Sequence, residues 1–178
     1  EPALWPMGQE ALLKPDPRLM PGVQGAARFT GNDVGLRGPN FPTVNNNVYK
    51  IVTVGGSTTE SLYLDDSEEW PHLLMEGLNA RGSGVVTWVA NGGQSGRNTV
   101  DHLELVRVLP VLNRVELLIF LIGLNDLAPT LSFAGGPTQE AFEAEAADFR
   151  DQVLNGGRRL RPPRPYFKRT ESFELAKR

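Results

Sequence analysis

The residues best suited to chemistry in this chain sit in three glycine-bearing turns. The first closes the run Val52-Thr53-Val54-Gly55-Gly56-Ser57-Thr58-Thr59-Glu60. It reads as a strand, a sharp bend and a helix start, with a hydroxyl at the bend. Gly55 and Gly56 permit backbone angles that a side chain would forbid and let a substrate come close. The helix that follows would aim free N–H groups at whatever lies beside Ser57. Such a turn can present a nucleophile and stabilise an oxyanion. It can equally cradle a phosphate, or be an ordinary tight strand-to-helix connection. The other two turns are Asn91-Gly92-Gly93-Gln94-Ser95-Gly96 and Gly123-Leu124-Asn125-Asp126.

Composition narrows the chemistry. The chain has no cysteine, which excludes thiol catalysis, disulfides and thiolate metal sites. Its two histidines, His72 and His102, lack the paired spacing of a zinc site. A net charge of −3 argues against nucleic acid held mainly by electrostatics. No apolar run approaches the roughly 20 residues that span a bilayer. No Gly-Lys-Ser/Thr follows the first strand and no dinucleotide-type glycine pattern is present, which weakens the phosphate reading. Neither a metal nor an organic cofactor is implied. The chain opens on Glu1 rather than Met; export with removal of a leading segment is compatible with that, and the compartment stays open.

The elements that would position these turns follow from periodicity. Residues 1–47 carry seven prolines, with Gly22, Gly25, Gly31, Gly35 and Gly38 interspersed; this predicts an extended arm lying over the domain rather than long helices. Asn45-Asn46-Asn47 reads as a hinge into a first strand, 48–54, whose apolar character suits a central parallel strand. Asp65-Asp66-Ser67-Glu68-Glu69 resembles a capped helix start. A helix over 69–81 would turn Trp70, Leu73, Leu74 and Leu78 inward, and Gly82-Ser83-Gly84 would end it. A second strand is expected over 85–90. A helix from about 99 to 109 follows, with Leu103, Val106 and Leu109 on one side. The third strand, 115–122, has seven apolar residues out of eight and is expected to be deeply buried. Thr138 caps an expected amphipathic helix to Leu154, with Phe142, Ala146, Phe149 and Val153 on its apolar face. Residues 156–169 hold six basic residues and no acid, interleaved with Pro162, Pro163 and Pro165; they read as a solvated linker or surface loop in preference to a nucleic-acid patch. Residues 170–178 begin like another helix.

Strands alternating with helices predict an α/β domain with a parallel sheet and right-handed crossovers. Ligands in such sheets bind at the carboxyl ends of the strands, so all three turns are expected to open on one crevice. The domain organisation is an arm over 1–47, a core over 48–155 and a basic, proline-rich segment over 156–178.

In these blocks the chain resembles the SGNH hydrolases, also called the GDSL family of esterases and lipases. Gly55-Gly56-Ser57 matches the family's nucleophile turn, with Gly56 where many members carry aspartate; the Gly-Gly-Ser-Thr-Thr form also occurs among them. Asn91-Gly92-Gly93-Gln94-Ser95-Gly96 resembles the second block and Gly123-Leu124-Asn125-Asp126 the Gly-x-Asn-Asp block. Trp70-Pro71 falls where members often start their second helix. The similarity covers roughly residues 48–127. It implies a three-layer α/β/α, flavodoxin-like fold and a serine ester hydrolase acting on an acyl or acetyl ester of a small molecule or polysaccharide. Ser57 would be the nucleophile, and the Ser57 and Gly96 backbone N–H groups with the Asn125 amide would receive the oxyanion. The family's base lies in a late Asp-x-x-His block. Neither His72 nor His102 has an aspartate three residues before it, and both read as surface or interface residues. The family's sheet has about five strands, and three are legible here. The chain is therefore expected to be the N-terminal part of a catalytic domain whose Asp and His belong to a second polypeptide from cleavage, to a disordered or truncated segment, or are lost; an open sheet edge favours a companion segment, and the 156–169 region suits a processing site. A non-catalytic SGNH-like module that binds a carbohydrate or acyl group is the alternative.

Overall fold

The computed structural model describes residues 1–23, 25–43, 47–82, 84–127 and 138–158, with the Phe142 side chain left aside. Asn45, Asn46, Ser83 and the expected helix start at 170–178 lie outside these residues, as does most of the basic segment. The described chain is a mixed α/β fold built on a parallel sheet with helices packed against it.

Three strands form that sheet: β3 (Val48–Gly55), β4 (Val86–Gly93) and β5 (Leu117–Leu121), in the order β4-β3-β5. β3 pairs in parallel with β4 from Val48↔Val86 to Gly55↔Gly93, and with β5 from Ile51↔Leu117 to Gly55↔Leu121. The central strand is the one with the continuous apolar run, and Ile51, Val52 and Val54 are buried. The order second-first-third is that of flavodoxin-like sheets, in which the reversal of direction leaves a crevice at the carboxyl ends.

Helices among the described residues that accompany the sheet include α1 (Ser57–Glu60), α2 (Trp70–Ala80), α3 (Thr99–Val108) and α4 (Gln139–Leu154). Thr138 caps α4 as its sequence predicts, its hydroxyl accepting from the Ala141 N–H at 3.2 Å. Ala146, Phe149 and Val153 are buried. The apolar stripe of α3 is shifted by one residue from expectation. Leu103 is exposed, whereas His102, Leu105 and Leu109 face inward. A buried histidine on that face is what periodicity counted as polar. On α2, Leu73 is exposed and Trp70, Leu74 and Leu78 are half-buried, because the helix leans on β4 with its outer side in solvent. The acidic stretch caps its own turn and not α2: Asp65 accepts from the Ser67 N–H at 3.1 Å and Glu68 from the Asp65 N–H at 3.2 Å, whereas Glu69, the N-cap residue of α2, makes no side-chain cap bond.

The third strand departs most from expectation. Its burial is partial, and Leu117, Phe120 and Leu121 are 40–48% exposed. Composition prepares β5 for a central place, but among the described residues it is the last strand of the sheet, so one edge and much of both faces lack cover.

The N-terminal segment forms an antiparallel pair, β1 (Glu10–Leu13) with β2 (Ala27–Thr30), and feeds the core. Leu4, Trp5, Phe29 and Leu36 are fully buried, with Trp5 edge-on to Phe29 at 4.9 Å. Gly35 sits at φ +73, where a Cβ would stand 2.3 Å from that of Ala3; only glycine lets this turn close on the first residues.

Arg37 binds that segment to the sheet. It is wholly buried, and its backbone exchanges hydrogen bonds with Asn91 of β4 at 3.0 and 2.8 Å. Nε donates to Asp66 at 2.9 Å, Nη1 to the carbonyls of Glu60 and Ser61, and Nη2 to those of Arg28 and Leu64. Each guanidinium N–H thus has an acceptor. Glu69 lies 3.3 Å from Nη1 and also accepts from Asn91 Nδ2 at 2.5 Å. Burial outweighs these partners and pushes the Glu69 carboxyl up to about 7.

Two outcomes are expected. Replacing Arg37 by Met leaves Glu69 without its cation and Asp66 with only the more distant Arg28, at 3.8 Å, and costs about 3–5 kcal/mol; urea unfolding measures it, and a loss under about 1 kcal/mol would show that the pairing is dispensable. The raised Glu69 carboxyl holds its proton in the folded chain at pH values where the unfolded chain has released it. Its contribution is therefore complete below the ordinary carboxylate range and is lost as pH rises through about 7. The stability of Glu69→Gln relative to wild type should accordingly rise between pH 5 and 8. A difference that stays flat would place the carboxyl in its ordinary range.

Candidate functional site

The register that joins the strands also aligns their ends. Gly55 lies opposite both Gly93 and Leu121, so the three turns leave the sheet side by side. A cavity of about 190 Å³ opens there, lined by Gly56, Ser57, Thr58, Arg97 and residues 121–125. Ser57 and Asn125 meet at this cavity. Gly96 is exposed and lies beside it, one residue before Arg97.

Ser57 is the first residue of α1 and is exposed. The helix behind it is a single turn: the Thr59 and Glu60 N–H groups bond to the Gly56 carbonyl, and Ser61 ends it at φ 49. One turn sums few peptide dipoles, so the field anticipated from a helix N-terminus is small. An anion beside Ser57 would be met by individual N–H donors and not by a helix field. Among the described residues the Ser57 hydroxyl makes no side-chain hydrogen bond, and none supplies it with a base.

Asn125 stands in a helical stretch over 124–127. Its Nδ2 donates to the Arg97 carbonyl at 2.8 Å and lies 2.7 Å from where a Cβ on Gly56 would be. The glycine at 56 therefore leaves room for an amide beside the serine. That amide carries two N–H donors, and Arg97 uses one. Asp126 accepts from the Thr99 N–H at 2.9 Å, which ties the third turn to the start of α3.

The second turn is held on several sides. Gly96 has φ +83, with nothing within 4 Å of a built Cβ; its glycine answers to backbone conformation and not to crowding. Gln94 N–H donates to the Gly55 carbonyl at 3.0 Å. Arg97 Nε donates to Gln94 Oε1 at 2.8 Å and Nη2 to Gln152 of α4 at 3.2 Å, while its guanidinium lies 4.2 Å from the Phe149 ring centroid. Burial lowers its pKa. Asn91 is internal scaffolding, donating to the Thr59 carbonyl at 2.6 Å and accepting from the Gly93 N–H at 2.8 Å.

The histidines stand apart from the cavity lining. His72 Nε2 lies 3.4 Å from Glu76 on α2. His102 is buried instead of surface-facing, neither ring nitrogen has a hydrogen-bond partner among the described residues, and burial lowers its pKa, which favours the neutral ring. Among the described residues no cluster of metal-ligating side chains occurs. Glu60 is the residue that sequence reading passed over: it is buried, and its carboxylate accepts from Ser95 in the second turn. Its partner Ser95 lies 35 residues away in the chain, so no local signal marked it.

No family model matches the chain, and no curated protein matches it. Among solved structures it is similar to AlinE4, described as an SGNH-hydrolase family esterase, and to a mutant of that esterase. In each case the identity is 25%, the TM-score 0.41 and the coverage 63% of this chain. The chain spans about half, 54%, of the length of each of these two structures.

Proposed function

We propose that this chain is the nucleophile-bearing part of a serine ester hydrolase of the SGNH type, acting on an acyl or acetyl ester, with Asp and His of the triad supplied from outside it. The observation that carries the reading is the meeting of three strand-end turns at one cavity, with an exposed serine and a side-chain amide beside it. Leu121, Ile122 and Leu124 form an apolar wall that suits a short acyl group.

In this reading the Ser57 oxygen attacks the ester carbonyl carbon while the imidazole of the companion segment takes its proton. Negative charge moves to the carbonyl oxygen, which the Ser57 and Gly96 N–H groups and Asn125 Nδ2 receive; each such donor is worth on the order of 3 kcal/mol. Collapse of the intermediate expels the alcohol, which recovers the proton, and water then releases the acid from Ser57. The substrate is a small molecule or a polysaccharide carrying the ester. The exposed apolar residues of β5 support a companion segment, since an open edge of this composition invites another strand.

A second reading, a non-catalytic SGNH-like module that binds a carbohydrate or acyl group, is favoured by the lack of a base at Ser57 among the described residues.

Intact-mass analysis with a fluorophosphonate separates them. The hydrolase reading expects one adduct, absent in Ser57→Ala, together with a co-purifying segment in the same spectrum. A protein that takes no adduct, with this chain alone in the spectrum, is an inert fragment or the binding module. In protein that reacts with the probe, measured before any labelling, Asn125→Ala should lower kcat by about 10²–10³ with KM little changed; an unchanged kcat would remove Asn125 from the oxyanion site.

A further inference from the structure

Glu60 is a buried carboxylate in the helical turn that carries Ser57, 2% exposed. Its Oε2 accepts from both the backbone N–H of Ser95, at 3.1 Å, and the Ser95 hydroxyl. Burial pushes its pKa up, and the Ser95 bonds, Arg158 and Arg37 oppose that shift. An apolar side chain would fill this place without any desolvation cost. What a carboxylate adds is direction, because two bonds to one residue fix both its position and its orientation.

The residue so fixed immediately precedes Gly96. Gly96 itself has nothing within 4 Å of a built Cβ, so packing does not hold the tip of the turn. Gln94 and Arg97, on either side, have their own anchors: Gln94 N–H on the Gly55 carbonyl, Arg97 Nε on Gln94 Oε1 and Asn125 Nδ2 on the Arg97 carbonyl, whereas the bonds to Ser95 itself run to Glu60. On the other side, α1 sits flush on β4: a Cβ at Gly93 would come within 2.3 Å of the Glu60 nitrogen. One rigid unit thus carries Ser57 at its front and grips the second turn at its back.

We infer that Glu60 is a positioning residue, which holds the Gly96 N–H in register with Ser57 by clamping Ser95 against α1. This rests on the ester hydrolase reading. Glu60 touches no substrate and acts through Ser95.

The test uses the protein as purified with its co-purifying segment and a fluorophosphonate as probe, following the labelling rate of Ser57 and amide exchange over residues 93–97. Glu60→Ala should slow labelling by about tenfold or more and speed exchange in that segment, with exchange in β3 unchanged. Glu60→Gln, which keeps an acceptor oxygen, should restore most of the rate. If Glu60→Ala does not fold, Ser95→Ala replaces it and should slow labelling by a smaller factor, because the Ser95 N–H bond survives. Labelling at the wild-type rate in the folded variant, with or without altered exchange, overturns the positioning role alone. A wild-type protein that takes no label overturns the hydrolase reading and this role with it.

Discussion

The structure depends on one buried cation. Arg37 draws together segments that lie far apart in the chain: Arg28 on β2, the end of α1 at Glu60 and Ser61, the loop at Leu64 and Asp66, and Glu69 before α2. Its backbone bridges to Asn91 on β4, and its guanidinium lies 4.6 Å from the Phe29 ring centroid. A buried guanidinium is tolerable only when every N–H and the charge itself are answered. That requirement is cooperative, because a missing acceptor makes the others insufficient. The carbonyls that Arg37 receives from Glu60 and Ser61 are those at the end of α1, so the turn bearing Ser57 is held from beneath by a residue of the N-terminal segment.

The sheet then turns that fixation into convergence. β3 lies between two parallel partners whose registers end level with its own. The glycines at these ends serve two different purposes. Gly55 and Gly93 are steric: a Cβ at Gly55 would stand 2.2 Å from Thr59 Oγ1, and one at Gly93 within 2.3 Å of the Glu60 nitrogen. They let a one-turn helix lie flat against the strand ends. Gly96 and Gly123, at φ +83 and +108, are conformational, since they reverse the chain where a Cβ would strain it. Together the two kinds allow an exposed serine and an amide to share a cavity with few side chains between them.

The two edges of the sheet contrast. β4 is covered along most of its length, with Trp88, Val89 and Ala90 buried, in part because the N-terminal segment seals it through Arg37 and the Trp88 indole donates to the carbonyls of Pro39 and Asn40. β5 has the composition of an interior strand and the exposure of an outer one. Lys50 and Glu116, paired at 3.0 Å, mark the amino-terminal end of that edge, and beyond them the exposed residues are apolar up to the cavity mouth.

Several features were legible in the sequence because they are local. The strands at 48, 86 and 117 announce themselves as short apolar runs, α4 by its spacing and its Thr138 cap, and the three turns by glycine beside polar groups. Parallel pairing follows from alternation of strand and helix, and with it the gathering of Ser57 and Asn125 at one end of the sheet. What tertiary structure decided is the long-range polar pairing and the distribution of cover. Nothing near Arg37, Glu60, Glu69 or His102 in the chain announces that each is buried, because their partners and neighbours come from other elements and burial emerges only when those elements pack. The same holds for β5, whose apolar run prescribes a strand but not its neighbours. Short-range periodicity encodes which conformation a segment adopts; which segments meet is settled by the joint satisfaction of buried charges and surfaces across the whole chain.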